Sequence, residues 1–325
     1  MPSRSIEILT SDLEALPVVQ AWRALDLGPA TPVRVEVLRR KQKSVVYRLV
    51  GVGTDKSDII AKSGLRDTAV VERQIYKHVL PHLPVSQLRY YASVDAPGTD
   101  FCWLFLEDAS GEEFAPKDPG HRALATRWLA GLHIGAADVA ACCDLPDRGA
   151  GYYLGEMHAA RQTIRDNFDN PALSSDDRDI LVQVLRLFDV VESRWEAVDE
   201  LSRSVPRSLV HNDFAERNVR VRRNGTGLEV VAFDWEVAGW GLPTVDLAHA
   251  DVDLYAALVR EAWPGLDFTT LCRAVTLGRL LRGGLAASNW CVGSLATSWV
   301  ETSMIDLRVY RGRIDTNLQA LGWKP

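Results

Sequence analysis

The chain has 325 residues, room for one large domain or two modest lobes with cores of their own. Its 47% hydrophobic and 25% charged residues are ordinary for a globular protein, and a formal net charge of -6 speaks against a nucleic-acid binder, which carries a basic stripe. No apolar leader follows Met1 and no stretch is long and apolar enough to span a bilayer, so neither nucleic acid nor membrane is an expected partner.

Five cysteines, with Cys142 and Cys143 adjacent and no Cys-x-x-Cys, point to reduced thiols in the cytoplasm rather than a disulfide framework or a zinc site. Strand signals dominate from Val33 to about Asp108. Val33-Arg-Val35-Glu-Val37 alternates, Val45 to Leu49 does so less strictly, and Asp58 to Lys62 is a short strand ending in a cation. The loop from Arg39 to Ser44 contains no glycine, so a Gly-rich phosphate cradle is absent. Its basic residues, with Ser44 and its backbone N–H, suit an anionic nucleotide and equally suit a solvated hairpin tip.

Val71, Ile75 and Val79 at i, i+4, i+8 predict a helix opened by Asp67 as N-cap, with Glu72 one position off the apolar stripe. Phe101 to Asp108 is a continuous apolar run ending in acids, the mark of a buried strand leaving the core. The breaker-rich stretch from Gly111 to Gly120 then separates an N-terminal part, residues 1–109, from a C-terminal part, 110–325.

Helical spacing follows at Ala123 to Ala137, Leu154 to Phe168, Asp177 to Leu201, Val245 to Trp263, Phe268 to Leu285 and Trp290 to Val309. His133 reads as a packed core histidine. Trp240, Trp290 and Trp299 offer flat faces for a sugar or nucleoside ring, although each taken singly reads as core. Asp251 and Asp253 either attract a cationic acceptor or form a solvated helix face.

The densest chemistry lies between these helices, in His211-Asn-Asp213-Phe-Ala-Glu-Arg-Asn218 and Asp234-Trp-Glu236. Val219 to Arg223 alternates as a strand, Asn224-Gly225 is a two-residue hairpin signal, and Leu228 to Phe233 is the returning strand. An antiparallel hairpin sets the residue entering its first strand beside the residue leaving its second, so Asn218 and Asp234 become neighbours. Their amide and carboxylate oxygens are hard ligands for a Mg²⁺ that carries nucleotide phosphates. Asp213, in the same loop, can accept a proton from an attacking hydroxyl.

His-x-Asp-x-x-x-x-Asn, then Asp234-Trp-Glu, then Gly241-Leu-Pro243-Thr-Val-Asp246-Leu-Ala248, resembles the core of the aminoglycoside phosphotransferase and choline kinase-like superfamily. The resemblance implies an α+β, bilobal protein-kinase-like fold: an antiparallel-sheet lobe with one helix, then a larger, mainly helical lobe. It implies that Asp213 is the base, that Asn218 and Asp234 bind Mg²⁺, and that His211 and Asp246 brace the catalytic loop. In that setting Lys62 pairs with Glu72 to hold phosphates, and the main chain from Glu107 to Ala109 forms the hinge that holds the adenine. Phe-Ala-Glu-Arg departs from the more usual Leu-His-Pro-Gly, which leaves Arg217 either reaching phosphate or bracing its own loop.

No Ala-Pro-Glu and no long activation segment separate Asp234 from Asp246, which points to a small-molecule alcohol rather than a peptide as acceptor. The expected activity is transfer of phosphate from ATP, or another nucleoside triphosphate, to a hydroxyl of an antibiotic, sugar or nucleoside-like molecule. A catalytically silent nucleotide-binding module of the same fold is the alternative. A metal-dependent hydrolase would need more ligands at close spacing than this segment offers. The sequence does not set the oligomeric state.

Overall fold

A computed structural model describes residues 6–41, 44–53, 56–96, 98–139, 144–225 and 227–323. The N-terminal elements are β1 (Glu7–Leu9), α1 (Pro17–Arg23), β2 (Val35–Lys41), β3 (Ser44–Leu49), β4 (Ile59–Leu65) and α2 (Arg66–Gln74). They continue with β5 (Tyr90–Asp95), β6 (Phe101–Glu107) and β7 (Glu112–Glu113). Next come α3 (Pro119–Gly135), β8 (Asp147–Arg148), α4 (Ala150–Asp166), α5 (Ser175–Ser193), α6 (Trp195–Arg203) and β9 (Ser208–Val210). The hairpin β10 (Val219–Asn224) and β11 (Gly227–Ala232) precedes β12 (Gly239–Gly241). The chain ends with α7 (Val252–Val259), α8 (Phe268–Leu280), α9 (Ala287–Cys291) and α10 (Val300–Ala320).

The chain divides into two compact units. One comprises Met1–Ala115, Ala141–Asp144 and Asp213–Val237; the other comprises Pro116–Ala140, Leu145–Asn212 and Ala238–Pro325. The segment Asp213–Val237 therefore clusters with the N-terminal strands, far from its place in sequence.

In the first unit, β1-β2-β3-β4-β6-β5 form one antiparallel sheet. β6 is buried from Cys102 to Leu106, as its unbroken apolar run requires. Trp22 of α1 packs against Phe105 at 5.4 Å between centroids, closing a core with Val35, Leu49 and Ile59. Val33 is 73% exposed and precedes β2, which instead runs on to Lys41 through the stretch expected to be loop. The tip residues Gln42 and Lys43 lie outside the described residues, as do Cys142 and Cys143. α2 opens at Leu65, two residues earlier than Asp67 suggested, because Asp67 occupies the first turn rather than the cap.

The second unit is built on helices. Tyr153, Met157, Leu181, Phe188, Leu277, Leu281, Leu307 and Ile314 belong to one buried cluster. Four of its helix starts carry side-chain caps: Asp118 on α3, Ser174 in a capping box with Asp177 on α5, Asp251 on α7 and Asp267 on α8. The single helix expected from Asp177 to Leu201 is two, broken at Arg194, and the one expected from Val245 is a 3₁₀ segment, Pro243–His249, followed by α7. The periodic pattern continues through both breaks, which is why spacing alone misses them. A small sheet, β8-β12-β9, holds the chain ahead of Pro243. A Cβ on Gly241 would lie 2.4 Å from the Arg148 carbonyl oxygen, so this approach requires glycine. Among the described residues no helix is long and apolar enough to cross a membrane.

Candidate active site

β4 alternates buried and half-buried positions, which sets Lys62 between Val46 and Leu104 on the neighbouring strands. Glu72 is buried on α2, and its Oε2 lies 2.7 Å from Lys62 Nζ. Lys62 also ion-pairs closely with Asp234 and, at 3.3 Å, with Glu236. The second Glu72 oxygen accepts from the Trp235 backbone N–H at 3.1 Å, so one carboxylate ties both the lysine and the Asp-Trp-Glu turn. Burial opposes the Lys62 charge, but the carboxylates of Glu72, Asp234 and Glu236 outweigh it and raise the lysine pKa. Lys62 is thus held as an ammonium. Asp234 sits at φ 70°, in the left-handed region, an outlier of the kind that collects where function demands a particular side-chain direction.

The hairpin brings Asn218 to Asp234 through a register that differs from expectation. A turn on Asn224-Gly225 would set Asn218 opposite Val231. Instead the last pair of the ladder is Asn224 with Gly227, and the Phe233 N–H donates to the Asn218 carbonyl at 3.0 Å. Asn224 is a strand residue here, its amide donating to Glu229, and Asp234 follows directly on the partner of Asn218.

Asn218 is buried, and its Nδ2 donates to the backbone oxygen of Asp213 at 3.0 Å and to Asp213 Oδ2 at 2.8 Å. With the amide nitrogen so directed, its oxygen is the atom available as a ligand. One amide oxygen and one carboxylate suit Mg²⁺, which is commonly held by few protein groups plus substrate phosphates. No set of three or more His, Cys, Asp or Glu that could hold a metal stands among the described residues. Arg217 Nη2 lies 2.8 and 2.6 Å from the two Asp213 oxygens, so in this structure it contacts the carboxylate and braces its own loop.

Of the residues expected to bind nucleotide, Ser44 opens β3 opposite Gly64, and Glu107 ends β6 opposite Ile59, so they lie at either end of the ladder that carries Lys62. The Glu107 carboxylate is engaged by the Arg89 N–H at 2.9 Å and Arg222 Nη1 at 2.6 Å.

In the helical unit, Asp246 is buried and takes two backbone N–H donors: His211 at 2.7 Å and Asn212 at 2.8 Å. The bond to Asp246 comes from the His211 backbone rather than from its ring. His133 is a core residue as expected, its Nδ1 2.8 Å from the Tyr255 hydroxyl and its Nε2 3.5 Å from Asp246. The tryptophans depart from the core reading. Trp290 is 41% and Trp299 78% exposed, and Trp240 is half-buried. Asp251 is committed to capping α7, while Asp253 is exposed. Sequence reasoning assigned no role to Glu236, Tyr153 or Arg282. Glu236 lies within the Asp-Trp-Glu motif and could have been found there; Tyr153 and Arg282 carry no motif.

An antiparallel sheet whose Lys62 pairs with Glu72 of the adjoining helix and with Asp234 after a hairpin is the arrangement of a phosphotransferase of protein-kinase-like fold. The chain belongs to the phosphotransferase enzyme family, whose model matches residues 50–267. No curated protein matches it by sequence. Among solved structures, a microcompartment-associated aminopropanol kinase is similar over 94% of this chain and 98% of its own, at TM-score 0.63 and 14% identity. Choline kinase from Cryptosporidium parvum Iowa II is similar over 90% of this chain and 91% of its own, at TM-score 0.62 and 14% identity. The GDP complex of a mutant aminoglycoside 2'-phosphotransferase-IIIa is similar over 88% and 93%, at TM-score 0.60 and 15% identity. At such identities the likeness is one of fold.

Proposed function

We propose that the protein transfers the terminal phosphoryl group of ATP, or of GTP, to a hydroxyl of a small molecule. The observation that carries this reading is the Lys62 centre: Glu72 from a helix and Asp234 and Glu236 from the segment after the hairpin gather around one buried ammonium. In the proposed reaction Asp213 accepts the acceptor's proton as its oxygen bonds to the γ-phosphorus, and the breaking bridge bond leaves its electron pair on the nucleoside diphosphate. Lys62 orients the phosphates. Asn218 and Asp234 would hold Mg²⁺, which when bound neutralises phosphate charge. Retention of base, both ligands and the Lys62–Glu72 pair supports catalysis over a silent module.

For the acceptor, the exposed faces of Trp290 and Trp299 favour a ring-bearing molecule, an antibiotic or sugar ahead of choline-like amines. Aminoglycosides stay within that set, and an amino alcohol is the competing class. Dependence on ATP agrees with a cytoplasmic enzyme, and an antibiotic acceptor would make it a resistance determinant. Incubation with ATP, Mg²⁺ and an acceptor library, read by mass spectrometry, tests this: one phosphate on a small-molecule hydroxyl is the expected product. Efficient phosphorylation of protein serines, with no small-molecule acceptor, would refute it.

A further inference from the structure

The middle position of His-x-Asp is unspecified in the motif, yet here it is Asn212, fully buried and at φ 59°. A non-glycine residue in that region costs on the order of 1–3 kcal/mol and persists only where its surroundings over-determine it. Three elements do so. The Asn212 N–H donates to Asp246 Oδ1 at 2.8 Å, and its side-chain Oδ1 accepts from the Tyr153 hydroxyl of α4 at 2.7 Å. Its carbonyl oxygen accepts from Arg282 Nε. Burial and the Asp246 charge raise the Tyr153 pKa well above the ordinary phenol, so the hydroxyl stays a donor.

Arg282 is itself aimed. It lies in a π-turn, Leu281–Ala286, that continues α8, a local widening frequent at functional sites. Its guanidinium carbon also stands 4.0 Å from the centroid of the Trp290 ring, which restricts the side chain. The carbonyl it holds belongs to the same rigid peptide plane as the N–H of Asp213. Without that bond the plane is released to rotate, and Asn212 can relax toward negative φ, changing the direction in which the chain leaves for Asp213.

We propose that Arg282 and Tyr153 are positioning residues for phosphoryl transfer, locking the strained Asn212 so that its peptide plane aims Asp213. The proposal rests on the reading of Asp213 as the base. A misplacement of about 1 Å at a catalytic group costs on the order of 10²-fold in rate, and nucleotide binding, carried by the Lys62 centre, is spared.

The test compares the full chain with R282A, R282K and Y153F, following ADP release from ATP and Mg²⁺ with water or an identified acceptor. R282A should lower kcat by about 10- to 100-fold, with the nucleotide KM changed by no more than about twofold. R282K and added guanidinium ion should each restore part of the loss, since both return a donor to the Asn212 carbonyl. Y153F should show a smaller loss confined to kcat, and hydrogen exchange in the His211–Asp213 segment should quicken in R282A and Y153F. Unchanged kcat in R282A would overturn the proposal. So would a loss shared by kcat and KM that neither lysine nor guanidinium repairs, the signature of general damage. Should R282A not fold, Y153F decides, and unchanged kcat and exchange would overturn it. A wild type that releases no ADP would instead defeat the phosphotransfer reading, and exchange alone would then judge whether Arg282 locks Asn212.

Discussion

Replacing Lys62 by methionine keeps most of the side-chain volume and removes the charge that three carboxylates share. The Lys62 side chain is 14% exposed, Glu72 3% and Asp234 18%, so two of the three partners are largely withdrawn from water. At an effective dielectric near 20, charges 2.7 Å apart attract by about 6 kcal/mol before desolvation is charged against them. Breaking a buried pair costs about 3–5 kcal/mol net. Partial hydration of Asp234 places K62M at the lower end, about 3 kcal/mol, and Glu236, 43% exposed, adds little.

The penalty carries a pH signature. Burial already raises the Glu72 pKa, and Lys62 is the group that opposes this, so removing it raises the pKa further. A carboxyl raised in the folded state binds its proton more tightly there than in the unfolded chain, so the variant gains stability as pH falls. The Lys62 pKa is itself raised, so its charge is constant below the lysine range and contributes no slope near neutrality. Urea unfolding should therefore show a K62M deficit that is largest near about pH 8 and smaller near about pH 5. The double variant K62M/E72L should recover most of it, because the orphaned charge is gone. A K62M midpoint equal to wild type, or a deficit insensitive to pH, would refute this account.

D213N should lose about 10²–10⁴ in turnover with nucleotide binding little changed, and near-normal turnover in a steady-state assay would remove Asp213 from its role. D234N should raise the Mg²⁺ concentration needed for half-maximal activity; an unaltered Mg²⁺ titration would count against Asp234 as a ligand. A Cβ on Gly278 would lie 2.3 Å from the Thr244 carbonyl oxygen, in the segment that carries Asp246, so G278A should destabilise by about 1–3 kcal/mol; an unchanged melting temperature would contradict that packing. Hydrogen bonds from Arg48 and Arg34 hold the Glu36 pKa below the usual carboxylate range, a stabilisation present above the unfolded pKa and lost as pH falls through the folded one. The stability gap between wild type and E36Q should accordingly close on acidification in chemical denaturation.

The strands from Val35 to Glu107 and most helices were legible because burial imposes a period of two or of about 3.6 on neighbouring residues. The Asn218–Asp234 approach was legible too, because a hairpin is local and its ladder relates residues by counting. Counting failed where the count starts: Asn224 reads as turn, but its cross-strand contact with Glu229 makes it the last rung. Lys62 and Glu72 were found only because the downstream motif singled them out. Their convergence with Asp234, 172 residues beyond Lys62, is a long-range ion pair that no local pattern encodes. The same holds for Asp246 on the amides of His211 and Asn212, for Arg217 turned onto Asp213, and for Tyr153 and Arg282 around Asn212. Local spacing determines which face of an element is buried. Which charged group meets which depends on how distant elements pack, and in the interior that pairing is enforced by the cost of leaving a charge or an N–H unpartnered.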